Sequence, residues 1–203
     1  MSLVPPPKVD RFSLGEVVVK GDHGVFRVLA RAIGKLEAEA DPRSARFAST
    51  IECSDWCNVV ALTAEDELVL IYQHRFGTDS ITLEIPGGAI DMGESPEIAA
   101  ARELLEETGY AATSFEPLAV VHPNPAIQAN RCFSFLARGA KKVSEPSFDT
   151  NESCEVVLVP RSETARLIDE GHVTHALAVL ALERALRLAT RDGAGATKGD
   201  AAR

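Results

Sequence analysis

Hydrophobic and polar positions change period several times along the chain. From Ser13 to Ile33, apolar and mostly β-branched residues alternate with polar ones on either side of Gly21-Asp22-His23-Gly24. A period of two around a Gly/Asp turn predicts a hairpin, VVVK followed by VFRVLARAI. Residues 34–50 are polar and Ala-rich, with a turn expected at Asp41-Pro42. Apolar runs at Cys57–Leu62 and Leu68–Gln73 flank Ala64-Glu65-Asp66-Glu67 and predict two strands; Ile81–Ile85 predicts a short third that ends at Pro86-Gly87-Gly88. The clearest helix is Pro96–Thr108, with Ser95 as N-cap, Pro96 in the first helical position and Gly109 as the stop. Strands are expected again at Leu118–Val121, Arg131–Ala137 and Glu155–Val159. Ser162 caps a short helix that Gly171 ends, and His175–Thr190 forms the last helix, with Leu177, Leu180, Leu182, Leu186 and Leu188 as its apolar positions. Strands and helices mix without regular βαβ alternation, so the class is α+β or a mixed-sheet sandwich. The expected divisions are a β extension over residues 1–50 whose first ten are loose, a main domain over 51–190, and a disordered tail over 191–203.

Composition narrows the function classes. The chain has 203 residues, 45% apolar and 25% charged, values that exclude wholesale disorder and fibrous repeats. Its 21 basic and 30 acidic residues give a net charge of -9, which argues against general affinity for nucleic acid or an anionic membrane. A multiply anionic substrate then needs a cation to bridge it to the protein. No apolar stretch approaches the roughly 20 residues of a membrane span. MSLVPPPKVD lacks a basic region followed by an apolar one, so a cytoplasmic protein is expected. Cys53 and Cys57 have a spacing that one helical turn would bring together on zinc, but no second pair completes such a site. The four cysteines are expected as reduced, partly buried thiols.

The predicted helix 96–108 carries the chemistry. Glu103, Glu106 and Glu107 are spaced i, i+3 and i+4 and share one face, with Arg102 the only base in that turn. The opposite face, Ile98, Ala101 and Leu105, is apolar and expected to be buried. The run is either a solvated acidic face or a site for a hard divalent cation, since Mg²⁺ prefers oxygen ligands and bridges carboxylates to phosphates.

GAIDMGESPEIAAARELLEETGY, residues 88–110, matches at every fixed position the signature G-x5-E-x7-R-E-U-x-E-E-x-G-U, with U apolar, of the Nudix hydrolases. DWCNVVALT, LVLIYQHRFG, LEIPGGAIDMGE, NPAIQANRCFSFLA and EVVLVP…GHVTHALAVLAL extend the likeness over roughly residues 55–190, and they resemble ADP-ribose and nucleoside-diphosphate-sugar pyrophosphatases. The resemblance implies a Nudix fold, an α/β/α sandwich with a mixed sheet, preceded by a small antiparallel β extension. It implies hydrolysis of a nucleoside diphosphate linked to another group, with Mg²⁺ or Mn²⁺. It further implies that Glu103 and Glu107 are the main metal ligands, that Glu106 is a further ligand or water-contacting carboxylate, and that the Ala89 carbonyl also ligates. Arg102 and Glu94 correspond to an ion pair that orients the metal helix; Glu94 also suits a helix N-terminus on charge alone. Gly87 and Gly88 let the loop pass close to the metals, and Gly109 closes the helix.

The resemblance places the general base on a loop at PSFDTNESCEV, with Glu152 first and Glu155 second; a plain polar loop before a strand is the other reading. Arg75 resembles a phosphate-contacting residue, or is a charge at a strand end. Glu84 resembles a substrate-binding residue, or is a strand-end carboxylate. Trp56 stacks on a base, or belongs to the core or an interface. His172 and His175 are expected at the surface or as caps, and His74 stands beside Arg75. Pro125, sixteen residues after Gly109, resembles a marker of ADP-ribose pyrophosphatases, whereas NPAIQANR looks more like relatives that accept GDP-mannose or several sugar nucleotides. The expected function is cleavage of a nucleotide sugar, ADP-ribose first, giving AMP and ribose 5-phosphate. GDP-mannose or broad use is the alternative, and cleansing of oxidised nucleoside triphosphates is a weaker one. From another class comes a nucleotide-binding regulator that does not cleave, although such proteins usually lose box glutamates and this chain keeps them. The exposed β extension, with the resemblance, predicts a homodimer that exchanges its N-terminal segment.

Overall fold

A computed structural model describes residues 12–35, 46–148 and 153–196. The chain divides into two compact units, one of residues 1–53 with 124–129, the other of 54–123 with 130–203.

The first unit is a four-stranded antiparallel sheet of β1 (Phe12–Leu14), β2 (Val18–Asp22), β3 (Arg27–Lys35) and β4 (Arg46–Glu52). Central β3 pairs with β2 and then β1 along one edge and with β4 along the other. The expected hairpin is β2–β3, turned at Asp22, whose Oδ1 accepts from the Gly24 N–H at 3.1 Å, while Gly24 takes φ 75°. Strand β4 is not among the strands expected from the sequence. RFASTIE has modest strand propensity by itself, and its conformation comes from pairing with β3, which local composition does not report. Residues 36–45, including the expected Asp41-Pro42 turn, lie outside the described residues. The segment 124–129 joins this unit through Ile51, whose N–H donates to the Ile127 carbonyl at 2.7 Å.

The second unit is built on a seven-stranded mixed sheet. Its strands are β5 (Trp56–Thr63), β6 (Glu67–Arg75), β7 (Ser80–Glu84), β8 (Tyr110–Ala111), β9 (Phe115–Val121), β10 (Cys132–Lys142) and β11 (Cys154–Pro160). The β5–β10 pair is parallel and the others are antiparallel. Strand β5 and the middle of β6 are buried on both faces, which explains their unbroken apolar runs. One face, carrying Val60, Leu62, Leu68 and Leu70, packs on α2 (Thr164–Asp169) and α3 (Ala176–Ala196). The other, carrying Val59, Ala61, Val69 and Phe135, packs on Ala99, Ala100 and Leu104 of α1 (Pro96–Thr108). These layers are the expected α/β/α sandwich.

Three helical expectations are corrected. The buried stripe of α1 is Ala99, Ala100, Leu104, Glu107 and Thr108, whereas Ile98 is 61% exposed and Leu105 is also exposed. Small alanines let the helix approach the sheet closely, and that rotation carries Glu107 inward with them. Ser162 caps nothing: Arg161–Glu163 form a 3₁₀ turn with no side-chain cap, and α2 follows with six residues. Helix α3 runs on to Ala196, six residues into the expected tail, because an Ala-containing segment extends an existing helix without a new nucleation cost. Residues 197–203 are outside the described part. No helix among the described residues is long and apolar enough to cross a membrane.

Candidate active site

Residues 86–89 run beside the start of β5. Val59 N–H donates to the Pro86 carbonyl and Cys57 N–H to that of Gly88, both at 2.9 Å, and Trp56 bridges Ala89. This seam leaves no room for side chains at its two glycines. A Cβ on Gly87 would lie 2.7 Å from Asn58 Cα, and one on Gly88 would lie 2.5 Å from Glu103 Oε1. Glycine at 88 is therefore what lets α1 bring a carboxylate against the loop.

Helix α1 is set by its ends. Ser95 Oγ accepts from the Ile98 N–H at 3.3 Å. Gly109 takes φ 72° and donates to the Leu105 carbonyl at 2.8 Å. Glu107, 6% exposed, accepts from the Gly87 N–H at 2.8 Å, so helix and loop are joined through the most buried carboxylate of α1. Glu103 lies at the Gly88 notch, and Glu106 is half exposed.

Arg102 uses all five of its N–H donors. Nε reaches Glu94 Oε1 at 3.1 Å, Nη1 reaches Glu103 at 2.8 Å and Glu106 at 3.0 Å, and Nη2 reaches Glu94 Oε2 and the Ala89 carbonyl, each at 3.0 Å. Hydrogen bonds from Arg102 hold the Glu94 carboxyl below its usual range, and those carboxylates, Glu94 first, raise the already high pKa of the guanidinium. The expected Glu94–Arg102 pair is thus present, and the same guanidinium also engages three oxygens that the sequence reading gave to a metal.

Among the described residues, no three His, Cys, Asp or Glu side chains converge on one point as a metal site. The chemistry of the donors nevertheless fits a hard divalent cation. Three glutamates and a carbonyl offer only oxygen, Gly88 provides a notch a Cβ would fill, and one guanidinium faces an excess of carboxylates. No thiol set competes for a softer metal. All four cysteines are unbridged, and burial pushes Cys57 up to about 12 and Cys132 up to about 11. Cys53 and Cys57 do not face each other across a helical turn, since residues 53–55 are irregular and 57 lies in β5.

A second cluster forms beside the first. Glu84 is 1% exposed, yet receives Arg75 Nε and Nη2 at 2.8 Å each, Thr82 Oγ1 at 2.7 Å and His175 Nδ1. Burial alone would raise its pKa; the bonds from Arg75, His175 and Thr82 outweigh that and hold the carboxyl well below the usual range. The Arg75 side chain is 41% exposed, and its guanidinium feels the charge of Glu84 first and that of Glu107 as well. The sequence does not signal His175 as part of this cluster. Its carbonyl does cap α3, accepting from the Val179 N–H at 3.0 Å, but the ring turns to Glu84, a partner 91 positions away that no local pattern signals. His172 instead pairs with Glu170 at 3.1 Å, and His74 with Asp79 at 3.0 Å.

Trp56 is half-buried at the head of β5. Glu155 is exposed on β11, opposite Tyr72 of β6. Glu152 lies outside the described residues. The loop leading toward it is fastened to α1, because the Ser147 N–H donates to the Glu106 carbonyl at 2.8 Å.

The NUDIX domain family model matches residues 57–180. The chain is 29% identical over 126 residues to the methanol dehydrogenase activator of Bacillus methanolicus, and 30% identical over 126 residues to the ADP-ribose pyrophosphatase of Bacillus subtilis; each match covers 62% of this chain and 68% of the relative. Among solved structures, a crystal structure of an ADP compounds hydrolase superposes with a TM-score of 0.78, covering 93% of this chain and 99% of that one at 22% identity. Matched box, fold and family model agree: the chain belongs to the Nudix family and is a Nudix hydrolase.

Proposed function

We propose that the protein hydrolyses the diphosphate linkage of a nucleoside diphosphate sugar, with ADP-ribose the favoured substrate and AMP and ribose 5-phosphate the products. The observation that carries this reading is the excess of carboxylate around the Ala89 carbonyl, where Glu94, Glu103 and Glu106 face the single Arg102 and Glu107 lies close by. ADP-ribose pyrophosphatases among the relatives support the choice of substrate.

Glu103, Glu106, Glu107 and the Ala89 carbonyl would hold Mg²⁺ or Mn²⁺, which when bound neutralises the diphosphate and acidifies water. Arg102, anchored by Glu94, orients Glu103 and Glu106 directly, and Gly88 leaves Glu103 its space. Arg75 receives a phosphate oxygen, and Trp56 stands at the edge for the base. Glu152, or Glu155 behind it, takes a proton from the attacking water. The water oxygen then bonds to phosphorus, the bridging P–O bond breaks, and two phosphomonoesters leave. The reading includes a cytoplasmic setting, in keeping with four unbridged thiols.

Phosphate release after coupling to a phosphatase, across ADP-ribose, GDP-mannose and other diphosphate sugars with Mg²⁺, tests the reaction. ADP-ribose should be cleaved fastest. GDP-mannose first would favour the second reading, suggested by NPAIQANR, and no cleavage of any member would overturn both. Glu152→Gln should lower kcat more than KM and more than Glu155→Gln does; the reverse order would move the base to Glu155.

The same reading includes a homodimer that exchanges the N-terminal segment. What supports it is the first unit's exposed apolar set, including Phe12, Val19, Val25 and Phe47. Light scattering should give about twice the chain mass of 21.7 kDa, and a value near that mass would reject the dimer.

A further inference from the structure

Glu84 is an ionised group almost wholly removed from water, so its surroundings must supply every interaction that water would have made. They do so from three places in the fold. Arg75 is at the end of β6, Thr82 is within β7, and His175 immediately precedes α3. A carboxylate accepts and never donates, so His175 Nδ1 carries the proton that lies between them. With four donors on its two oxygens and a side chain only 2% exposed, Glu84 has little surface left for a ligand. Arg75 is different. Its Nε and Nη2 are committed to Glu84, which fixes the plane of the guanidinium, while the side chain as a whole remains 41% exposed. The first turn of α3 is held at a second point: Asn58 Nδ2 donates to the Leu177 carbonyl at 3.4 Å. Asn58 in turn packs against Gly87, whose N–H binds Glu107. The head of α3 is therefore tied both to the Arg75 cluster and to the seam that carries the box.

We propose that His175 is a positioning residue, which holds Glu84 from the head of α3 and so fixes the Arg75 guanidinium to receive a substrate phosphate. Glu84 then acts through Arg75 and not by touching substrate. This rests on the diphosphate-sugar reading above. It differs from the sequence expectation, in which Glu84 either binds substrate itself or is a strand-end carboxylate, and His175 is a surface or capping residue.

The test is steady-state kinetics of the full chain with Mg²⁺ and the diphosphate sugar that the panel finds best. His175→Ala should raise KM about tenfold and leave kcat within about threefold, because binding orientation is lost while the box is intact. His175→Asn, whose Nδ2 takes the place of Nδ1, should return KM to within about twofold of wild type. In an Arg75→Gln background neither His175→Ala nor Glu84→Gln should raise KM further, since both act through the missing guanidinium. An unchanged KM in His175→Ala overturns the proposal, as does an Asn variant no better than Ala. Effects that persist without Arg75 also overturn it, and would return Glu84 to direct contact. If His175→Ala does not fold, His175→Gln replaces it, because its longer amide sets the donor in the wrong place. A wild-type chain that cleaves no diphosphate sugar rejects the substrate reading, and the proposal falls with it; the wild-type control distinguishes that failure from the others.

Discussion

Arg102 and Arg75 both close carboxylate clusters, but they leave opposite charge balances. Arg102 meets Glu94, Glu103 and Glu106 with one guanidinium, so carboxylates outnumber it three to one, and Glu107 lies nearby. Arg75 meets a single buried carboxylate that is further supported by His175 and Thr82, and the cluster is balanced. Charge excess in a partly solvated place is tolerable and is available to an added cation, whereas charge buried as deeply as Glu84 demands full pairing. On the proposed reading, one cluster recruits a cation and the other holds a side chain still.

That contrast can be broken at its strongest point. Glu107→Gln keeps size and helix propensity but removes a carboxylate that the proposed function gives to the metal, so kcat should fall by about a hundredfold or more. A loss under about threefold in a folded variant would remove the metal role from this carboxylate. Gly88→Ala probes the same side by sterics. The new Cβ would displace the flexible end of Glu103, so turnover should drop about tenfold while the melting temperature stays within about 2 °C. An active Gly88→Ala enzyme would show that the notch is dispensable.

A smaller effect separates the clusters directly. Saturating Mg²⁺ should raise the wild-type melting temperature by about 3 °C through binding to the folded state. Differential scanning fluorimetry should find that shift lost in Glu107→Gln and kept in Glu84→Gln. Equal shifts in all three proteins would dissolve the distinction. The smallest effect lies in acid. The folded-state pKa values of Glu84 and Glu94 are both depressed from 4.5, so their stabilisation is complete above that value and lost as pH falls through the lowered ones. Urea midpoints should decline from about pH 5 downward, and Glu84→Gln should flatten the decline more than Glu94→Gln, because the buried carboxylate has the larger depression. A steeper decline in either variant would contradict the sign.

The two clusters also differ in how far they could be read from sequence. Every partner of Arg102 lies within residues 89–106, on one helix and the turn before it, so fixed spacing in the chain becomes fixed geometry in space. The Nudix box and the ends of α1 were legible for that reason. Glu84, Arg75 and His175 come from two strands and a helix cap. Arg75 and Glu84 were visible only by resemblance, and His175 not at all, because its contact depends on where α3 docks. The buried stripe of α1 was misread for a related cause. Ile98 and Leu105 are more apolar than Ala99 and Ala100, but close packing on the sheet favours small side chains over greasy ones. Strand β4 escaped notice because its order is supplied by β3 and not by its own residues.

One feature of the first unit bears on how the molecule comes into being. Its four strands come from residues 12–35 and 46–52, yet the Ile51–Ile127 hydrogen bond and the Ile51–Gln128 bridge draw on a segment placed between β9 and β10. During synthesis the early strands must wait for about 70 further residues, several seconds at ordinary translation rates, before that partner emerges. Over that interval β4 has an unfinished edge, and completion of the N-terminal sheet is timed by the middle of the chain.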